Sequence, residues 1–352
     1  MNRTPIEWTH WSVNPFKMRM PDGTLINVCI HKSDGCRFCY AEGIVRRWWK
    51  KEWGEFPGYT AALLKLGTPV LVEEELKAVL RLSDRIAHGK ADPNENKIFW
   101  NDMTDEFLEF WPEEFIDKCF TIRALTPNLI HQVLTKRIDR LCAYLLKKEL
   151  DWTDWGVSEL AEDIALDFLY ENGPLKQFLQ DAGWWFDWDH DQETGKKCGG
   201  RPYYGGTIPL PNVHIGTSVE DQKTADERIP VLLKTPAAVR WISAEPLLGP
   251  IRFRSLTESM IEGLDWVVVG GESGPNARQM DLEWVRSIVE QCACAAVPVF
   301  VKQLGQHPID WRHGEPEVPP YEYSLTKKGG DINEFPEDLR VRQFPKLRAV
   351  TA

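Results

Sequence analysis

The chain lacks a long apolar run. No stretch of about eighteen consecutive apolar residues occurs in its 352 residues, so no membrane-spanning helix is expected. The opening residues, Met1-Asn-Arg-Thr-Pro-Ile-Glu-Trp, lack the apolar core of a secretory signal, and a cytoplasmic location is expected. Excess positive charge is also missing: 42 Lys and Arg face 53 Asp and Glu, a net charge of −11. That balance argues against broad, non-specific nucleic-acid binding but leaves room for a local basic patch. Nor are the eight cysteines arranged as the framework of a small disulfide-rich domain. Cys119 and Cys142 fall in helix-like, core-type segments, Cys198 stands alone, and the Cys292-Ala-Cys294 spacing is too tight for an ordinary metal hook.

The other three cysteines are clustered. Cys29-Ile-His-Lys-Ser-Asp-Gly-Cys36-Arg-Phe-Cys39-Tyr40 spaces them C-x6-C-x2-C. Three thiolates on one loop suit three corners of a cubane iron–sulfur cluster, leaving one iron open. They suit a structural zinc ion equally well, with His31 or a distant cysteine as fourth ligand. Gly35 gives the turn before Cys36 freedom to bend.

Beyond the loop, apolar strand-like runs alternate with helix-like segments. A helix is expected over 41–54, ended by Gly54 and Pro57. A second covers 72–88, with Leu76, Val79, Leu80 and Ile86 on one side. Others cover 112–125, 225–234 and 282–295, the 112–125 helix opening on Pro-Glu-Glu. Strands are expected at 97–101, 129–134, 213–216, 239–242, 266–269 and 298–301, with a first one near Trp8–Pro15. This rhythm predicts an α/β fold, a complete or partial (β/α) TIM-type barrel of about six to seven parallel strands. Residues 151–206 interrupt it and read as a variable insertion, with one or two helices near 158–181 and a flexible arm. Residues 306–352 read as a C-terminal extension packed on a barrel made by 1–305.

Barrel active sites gather where strands end, and here those ends are repeatedly polar. The runs are Asn101-Asp102-Met-Thr104-Asp105, Thr135-Lys136-Arg137, Thr217-Ser218-Val-Glu220-Asp221, Ser243-Ala-Glu245, Gly270-Gly271-Glu272 and Lys302-Gln303. They suit a ligand with an amino-acid end, a ribose and an adenine, such as S-adenosylmethionine. Lys136 or Arg137 would hold its carboxylate. Asp102, Asp105 or Glu245 would accept from ammonium or ribose. Gly270-Gly271 allows close backbone approach.

The half-loop Cys36-Arg-Phe38-Cys39 resembles the cluster loop of the radical S-adenosylmethionine (radical SAM) superfamily, which usually reads C-x3-C-x-aromatic-C. A narrower resemblance, to a phage- and prophage-associated radical-SAM-like family, is carried by four sets of residues. These are Trp11-Ser-Val-Asn-Pro15 with the cysteine loop; Leu134-Thr-Lys-Arg137; Val213–Gln222 with Ala225–Pro230; and Ser243–Pro250 with Val269–Pro275. The C-x6-C-x2-C gap is that family's own form. The expanded 16–28 segment and the insertion 151–206 depart from it.

The resemblance implies a 4Fe-4S cluster on Cys29, Cys36 and Cys39, whose open iron chelates S-adenosylmethionine and, after one-electron reduction, yields a 5′-deoxyadenosyl radical that takes hydrogen from a substrate. It implies a cofactor site from Phe38, Tyr40, Asn101, Asp102, Asp105, Thr135, Lys136, Arg137, Ser218, Glu220, Glu245, Gly270, Gly271 and Glu272. Lys136, Glu245 and Glu272 are the candidate catalytic groups. It also implies a reductant of flavodoxin or ferredoxin type and a three-Cys-motif partner protein. The basic, aromatic run Arg46-Arg-Trp-Trp-Lys-Lys-Glu-Trp53 and the basic run 340–348, with the phage association, suggest a nucleic acid or nucleoside substrate. For 46–53 the competing expectation is an amphipathic helix packing its tryptophans on the barrel. Two other functions compete: a zinc-stabilised nucleic-acid-binding protein without catalysis, and a metal-free barrel hydrolase using Asp105 with Glu245 or Glu272.

Overall fold

The computed structural model describes residues 1–151, 184–190, 197–204, 209–253, 261–274, 276–311, 321–322 and 328–345. In chain order come β1 (Asn2–Arg3), β2 (Trp11–Val13), β3 (Phe16–Arg19), β4 (Leu25–Ile26), α1 (Tyr40–Arg47), β5 (Thr68–Leu71), α2 (Glu73–Ala87) and β6 (Lys97–Trp100). Then follow α3 (Glu113–Ala124), β7 (Ile130–Thr135), α4 (Ile138–Asp151), β8 (Trp184–His190), β9 (Lys197–Tyr204), β10 (Val213–Ser218), α5 (Gln222–Lys234) and β11 (Val239–Ala244). β12 (Trp266–Gly270), β13 (Met280–Asp281), α6 (Leu282–Cys294), β14 (Val299–Gln303), β15 (Pro308–Asp310) and β16 (Tyr321–Glu322) complete the series.

One sheet organises the molecule, in the order β1-β2-β6-β7-β10-β11-β12-β14. Every pairing from β2 to β14 is parallel, and β1 is an antiparallel edge. Parallel strands need crossovers, and among the described residues helices supply these between all successive parallel strands except β11 and β12. The sheet is curled. β6 and β12 are four strands apart, which in a flat sheet is roughly 19 Å. Yet the Trp8 ring lies 4.7 Å from Phe99 on β6, 5.3 Å from Trp241 on β11 and 6.0 Å from Trp266 on β12. A single indole thus plugs the concave face of a half-barrel. Closure stops there. Among the described residues no bonds join β14 to β2; the free edge of β14 is taken by residues 341–343, through Val301 N to Val341 O (2.8 Å) and Gln343 N to Val299 O (2.9 Å).

Strand alternation assigns the two faces. Outward residues such as Ile98, Val133, Ile215, Ile242, Val267 and Val301 join the main apolar core with the helices. Inward residues Phe99, Trp241, Trp266, Val268 and Phe300 form a second cluster around Trp8. Gly216 makes room in it, since a Cβ there would lie 2.4 Å from the Trp241 indole. Two residues further up four of the strands, the same inward column turns polar: Lys136, Ser218, Ser243 and Lys302 follow Leu134, Gly216, Trp241 and Phe300.

Some expected boundaries differ. The helix placed at 41–54 ends at Arg47, and a 3-10 turn covers Lys51–Trp53. Packing breaks it: Trp49 turns back onto Trp53 (5.0 Å) and Phe56 (4.9 Å) and donates to Gly54 O. The 16–28 segment with 68–71 forms a small antiparallel sheet, β4-β3-β5. In the insertion β8 and β9 pair as an antiparallel hairpin where a flexible arm was expected. The helices expected at 158–181 lie outside the described residues.

Candidate functional site

The cysteine loop lies across the C-terminal ends of the parallel strands. Beneath it is a cavity of about 530 Å³, within the range of small-molecule and cofactor sites, roughly 300–1,000 Å³. Cys29, Cys36, Cys39, Phe38 and Tyr40 line one side. Asn101, Asp102, Asp105, Thr135, Lys136, Arg137, Ser218, Glu245, Gly271 and Glu272 line the other. Two residues of the expected set do not face it. Glu220 lies behind Lys136, bonded to its ammonium. Gly270 is a space-maker, where a Cβ would lie 2.4 Å from Glu245 Oε1.

Much of the polar rim holds the loop. Arg137 donates to Ile30 O (3.0 Å), beside Cys29, while its other nitrogens pair with Asp105 (3.1 Å) and Glu109 (3.2 Å). Ser33 donates to Glu220 (2.7 Å), and Arg228 also faces that carboxylate (3.4 Å). A Cβ on Gly35 would meet Glu220 Cγ at 2.5 Å, so a glycine is needed for the loop to approach this closely. Arg278 donates to Asp34 O (3.1 Å) and forks onto Glu272 through Nη2 (2.7 Å) and Nε (2.9 Å). Thr104 bonds Val28 O.

These bonds leave the rim groups unequally available to a ligand. Asp105 accepts from Thr135, Lys136 N, Arg137 and Phe107 N, which saturates it. Burial acts to raise the Glu272 carboxyl, but the bonds from Arg278 outweigh it and hold the group below its ordinary value. Asp102 is raised by burial, against bonds from Asn14 and Tyr40. Asn101 turns its amide nitrogen to the buried Glu106 (3.0 Å) at φ 60°, a left-handed conformation that asparagine tolerates better than most residues. Lys136 and the Lys302–Glu245 pair (2.8 Å) face the cavity from opposite sides of the half-barrel, and Ser243 bonds Glu245 (3.1 Å). Arg278 and Lys302 were not singled out as site residues from sequence. Lys302 carried a legible signal, the polar end of an apolar strand; Arg278 lies in a loop and carried none.

A family model described as "Protein of unknown function (DUF5131)" matches residues 3–334. The chain belongs to the DUF5131 family. No curated protein and no solved structure matches it.

The thiols of this DUF5131 chain can be tested against an iron–sulfur cluster and against zinc. His31, the nearest fourth ligand for zinc, has its Nε2 bonded to Glu42 (2.7 Å). Among the described residues no three His, Cys, Asp or Glu side chains are grouped as a metal site, the three cysteines included. The loop's three thiols line one cavity, and thiolates are what a cluster takes; Lys32 N donates to Cys36 Sγ at 3.5 Å. Burial, then Asp105, push Cys29 up to about 12 against the pull of Arg137; burial also raises Cys39. Cys29 must therefore give up its proton when it ligates a metal. The residues fit a three-thiolate cluster.

The two basic runs separate. Arg340 donates to Phe335 O and Asn333 O, and Arg342 to the carbonyls of Val301, Lys302 and Gly330, so both serve the fold. Lys346 and Arg348 lie outside the described residues. In the first run Trp49 and Trp53 pack, as the amphipathic alternative has it, but Trp48 does not. Of the other cysteines, Cys119, Cys142 and Cys292 are buried and Cys294 is exposed.

Proposed function

We propose that this DUF5131 protein is a radical SAM enzyme of the partial (β/α)-barrel type, acting on a nucleic acid or nucleoside. One observation carries the proposal: three thiols on a single clamped loop share a cofactor-sized cavity with the polar ends of parallel strands. Cys29, Cys36 and Cys39 would hold a 4Fe-4S cluster. When bound, the cluster would deliver one electron that splits the sulfonium of S-adenosylmethionine into methionine and a 5′-deoxyadenosyl radical. An external donor of flavodoxin or ferredoxin type would supply that electron, and a three-Cys-motif protein is a further expected partner.

The chain's own residues bind, orient and exclude water. Lys136, whose ammonium is paired once, with Glu220, suits the ligand carboxylate better than Arg137, whose fork is occupied by Asp105, Glu109 and Ile30 O. Glu245 suits an ammonium or hydroxyl donor better than Asp105, which is saturated, or Glu272, which is held by three bonds from Arg278. Phe38 and Tyr40 offer ring surface beside the thiols, the Tyr40 hydroxyl being tied to Asp102.

The test is anaerobic incubation of the iron- and sulfide-loaded protein with dithionite and S-adenosylmethionine. 5′-Deoxyadenosine should form, and Cys36→Ala should abolish it. A yield unchanged by Cys36→Ala would refute the assignment.

A further inference from the structure

The helix that leaves the cysteine loop carries an apolar stripe, with an aromatic ring exposed at each end, away from the cavity. Tyr40, Ile44 and Trp48 are four residues apart, so they share one side of α1 and its C-terminal cap. Tyr40 and Ile44 line the cavity. Trp48 stands outside it, 78% exposed, the most exposed large apolar side chain among the described residues. At the helical rise it lies about 6 Å beyond Ile44 and about 12 Å beyond Tyr40. Its neighbour Trp49 is packed, so the exposure of Trp48 does not follow from lack of room for indoles. Among the described residues it makes no ring or cation contact within the fold.

The charge around this stripe is opposite to that of the chain. Residues 46–53 hold four cations (Arg46, Arg47, Lys50, Lys51) and one carboxylate (Glu52) in a protein of net charge −11. Two cations are engaged: Arg46 pairs with Glu42 (3.5 Å) and Lys50 with Asp22 (2.7 Å). Arg47 and Lys51 are exposed and have no ion-pair partner among the described residues.

We infer that Trp48, flanked by Arg47 and Lys51, is a stacking platform for single-stranded nucleic acid whose strand runs along α1 into the cavity. An open indole accepts any base face, and free cations beside it meet the phosphates. The 12 Å run suits about three stacked nucleotides at roughly 3.4 Å each. An exposed indole also serves protein interfaces; the run of Trp48, Ile44 and Tyr40 into the cavity is what favours a threaded strand here. The inference rests on the proposed chemistry in the cavity and names the substrate class for it. Its test needs neither cluster nor turnover.

The experiment is fluorescence anisotropy on the full chain as purified, with labelled oligothymidylate and oligouridylate of about 15 nucleotides, inside the usual site sizes. The two arms read which sugar is accepted; a duplex of equal length is the control. Both single strands, or one of them, should bind more tightly than the duplex. Trp48→Ala should weaken binding by about 5- to 150-fold, the loss of one stacked base, and Trp48→Phe should retain most of it. Arg47→Ala with Lys51→Ala should reduce the log–log salt slope by about 1.4, at about 0.7 per phosphate. Absence of single-strand binding by the unaltered chain, or equal binding by Trp48→Ala, would overturn the inference. 5′-Deoxyadenosine formed without nucleic acid should be the same for Trp48→Ala; its loss in both proteins would count against the cavity chemistry and not against this surface.

Discussion

Substitution of Glu106 by Gln tests the buried pair beneath the cavity floor. Glu106 and Arg123 sit at 2.6 Å with side-chain exposures of 1% and 0%. At an effective dielectric of about 20 their attraction is roughly 6 kcal/mol, largely offset by the cost of desolvating both. Removing one charge spares only half of that cost and leaves the guanidinium uncompensated, which costs about 3–5 kcal/mol. The rings of Trp100 (4.3 Å) and Phe120 (4.6 Å) around Arg123 keep the loss toward the lower end. Against a typical domain stability of about 5–15 kcal/mol, that is a large shift, read as a fall in the urea midpoint by circular dichroism. Glu106 also holds the Asn101 amide at the strand end, so binding of S-adenosylmethionine should weaken too. The double change Glu106→Leu with Arg123→Met should cost less than Glu106→Gln, since no charge is then stranded. A Glu106→Gln protein within about 1 kcal/mol of the parent, or a double variant as damaged as the sum of its singles, would refute the reasoning.

Two further outcomes follow from the inner column. Burial, then Lys97, lower His214 from 6.5 to about 4, so the unfolded chain binds that proton more readily than the folded one. Stability is therefore intact above pH 6.5 and falls by up to about 3 kcal/mol as pH drops toward 4; His131, lowered by burial and Arg123, adds in the same direction. His214→Gln should flatten this acid loss in urea titrations at pH 7 and pH 4.5; an unchanged slope would contradict it. Gly216→Ala should destabilise by at least about 1–3 kcal/mol, because Trp241 is held between Trp8 and Trp266 and cannot retreat from the new methyl. A thermal midpoint equal to the parent's would contradict that.

The sheet was legible because each buried parallel strand is a short apolar run that ends in polar residues. Val239-Arg-Trp-Ile followed by Ser243 and Glu245 is such a case, and the cysteines announced themselves by spacing. What escaped was set by contacts between distant residues. Phe16-Lys-Met-Arg19 alternates as a strand should, with Phe16 and Met18 buried, but four residues beside a turn are too few to stand out. Nothing local marks Arg137 as an anchor for Ile30, Arg278 as the partner of Glu272, or Glu220 as the group behind Lys136 and Gly35. Charged residues at strand ends look alike in sequence whether they await a ligand or hold a loop.

The central claim is that the loop at Cys29, Cys36 and Cys39 holds a cubane cluster. The most direct measurement is metal and sulfide content with a visible spectrum after anaerobic loading with iron and sulfide. About four irons per chain and a broad absorption near roughly 400 nm are predicted, both lost when the three cysteines are replaced by alanine. A colourless protein with one zinc per chain, or an iron content indifferent to those replacements, would contradict the account.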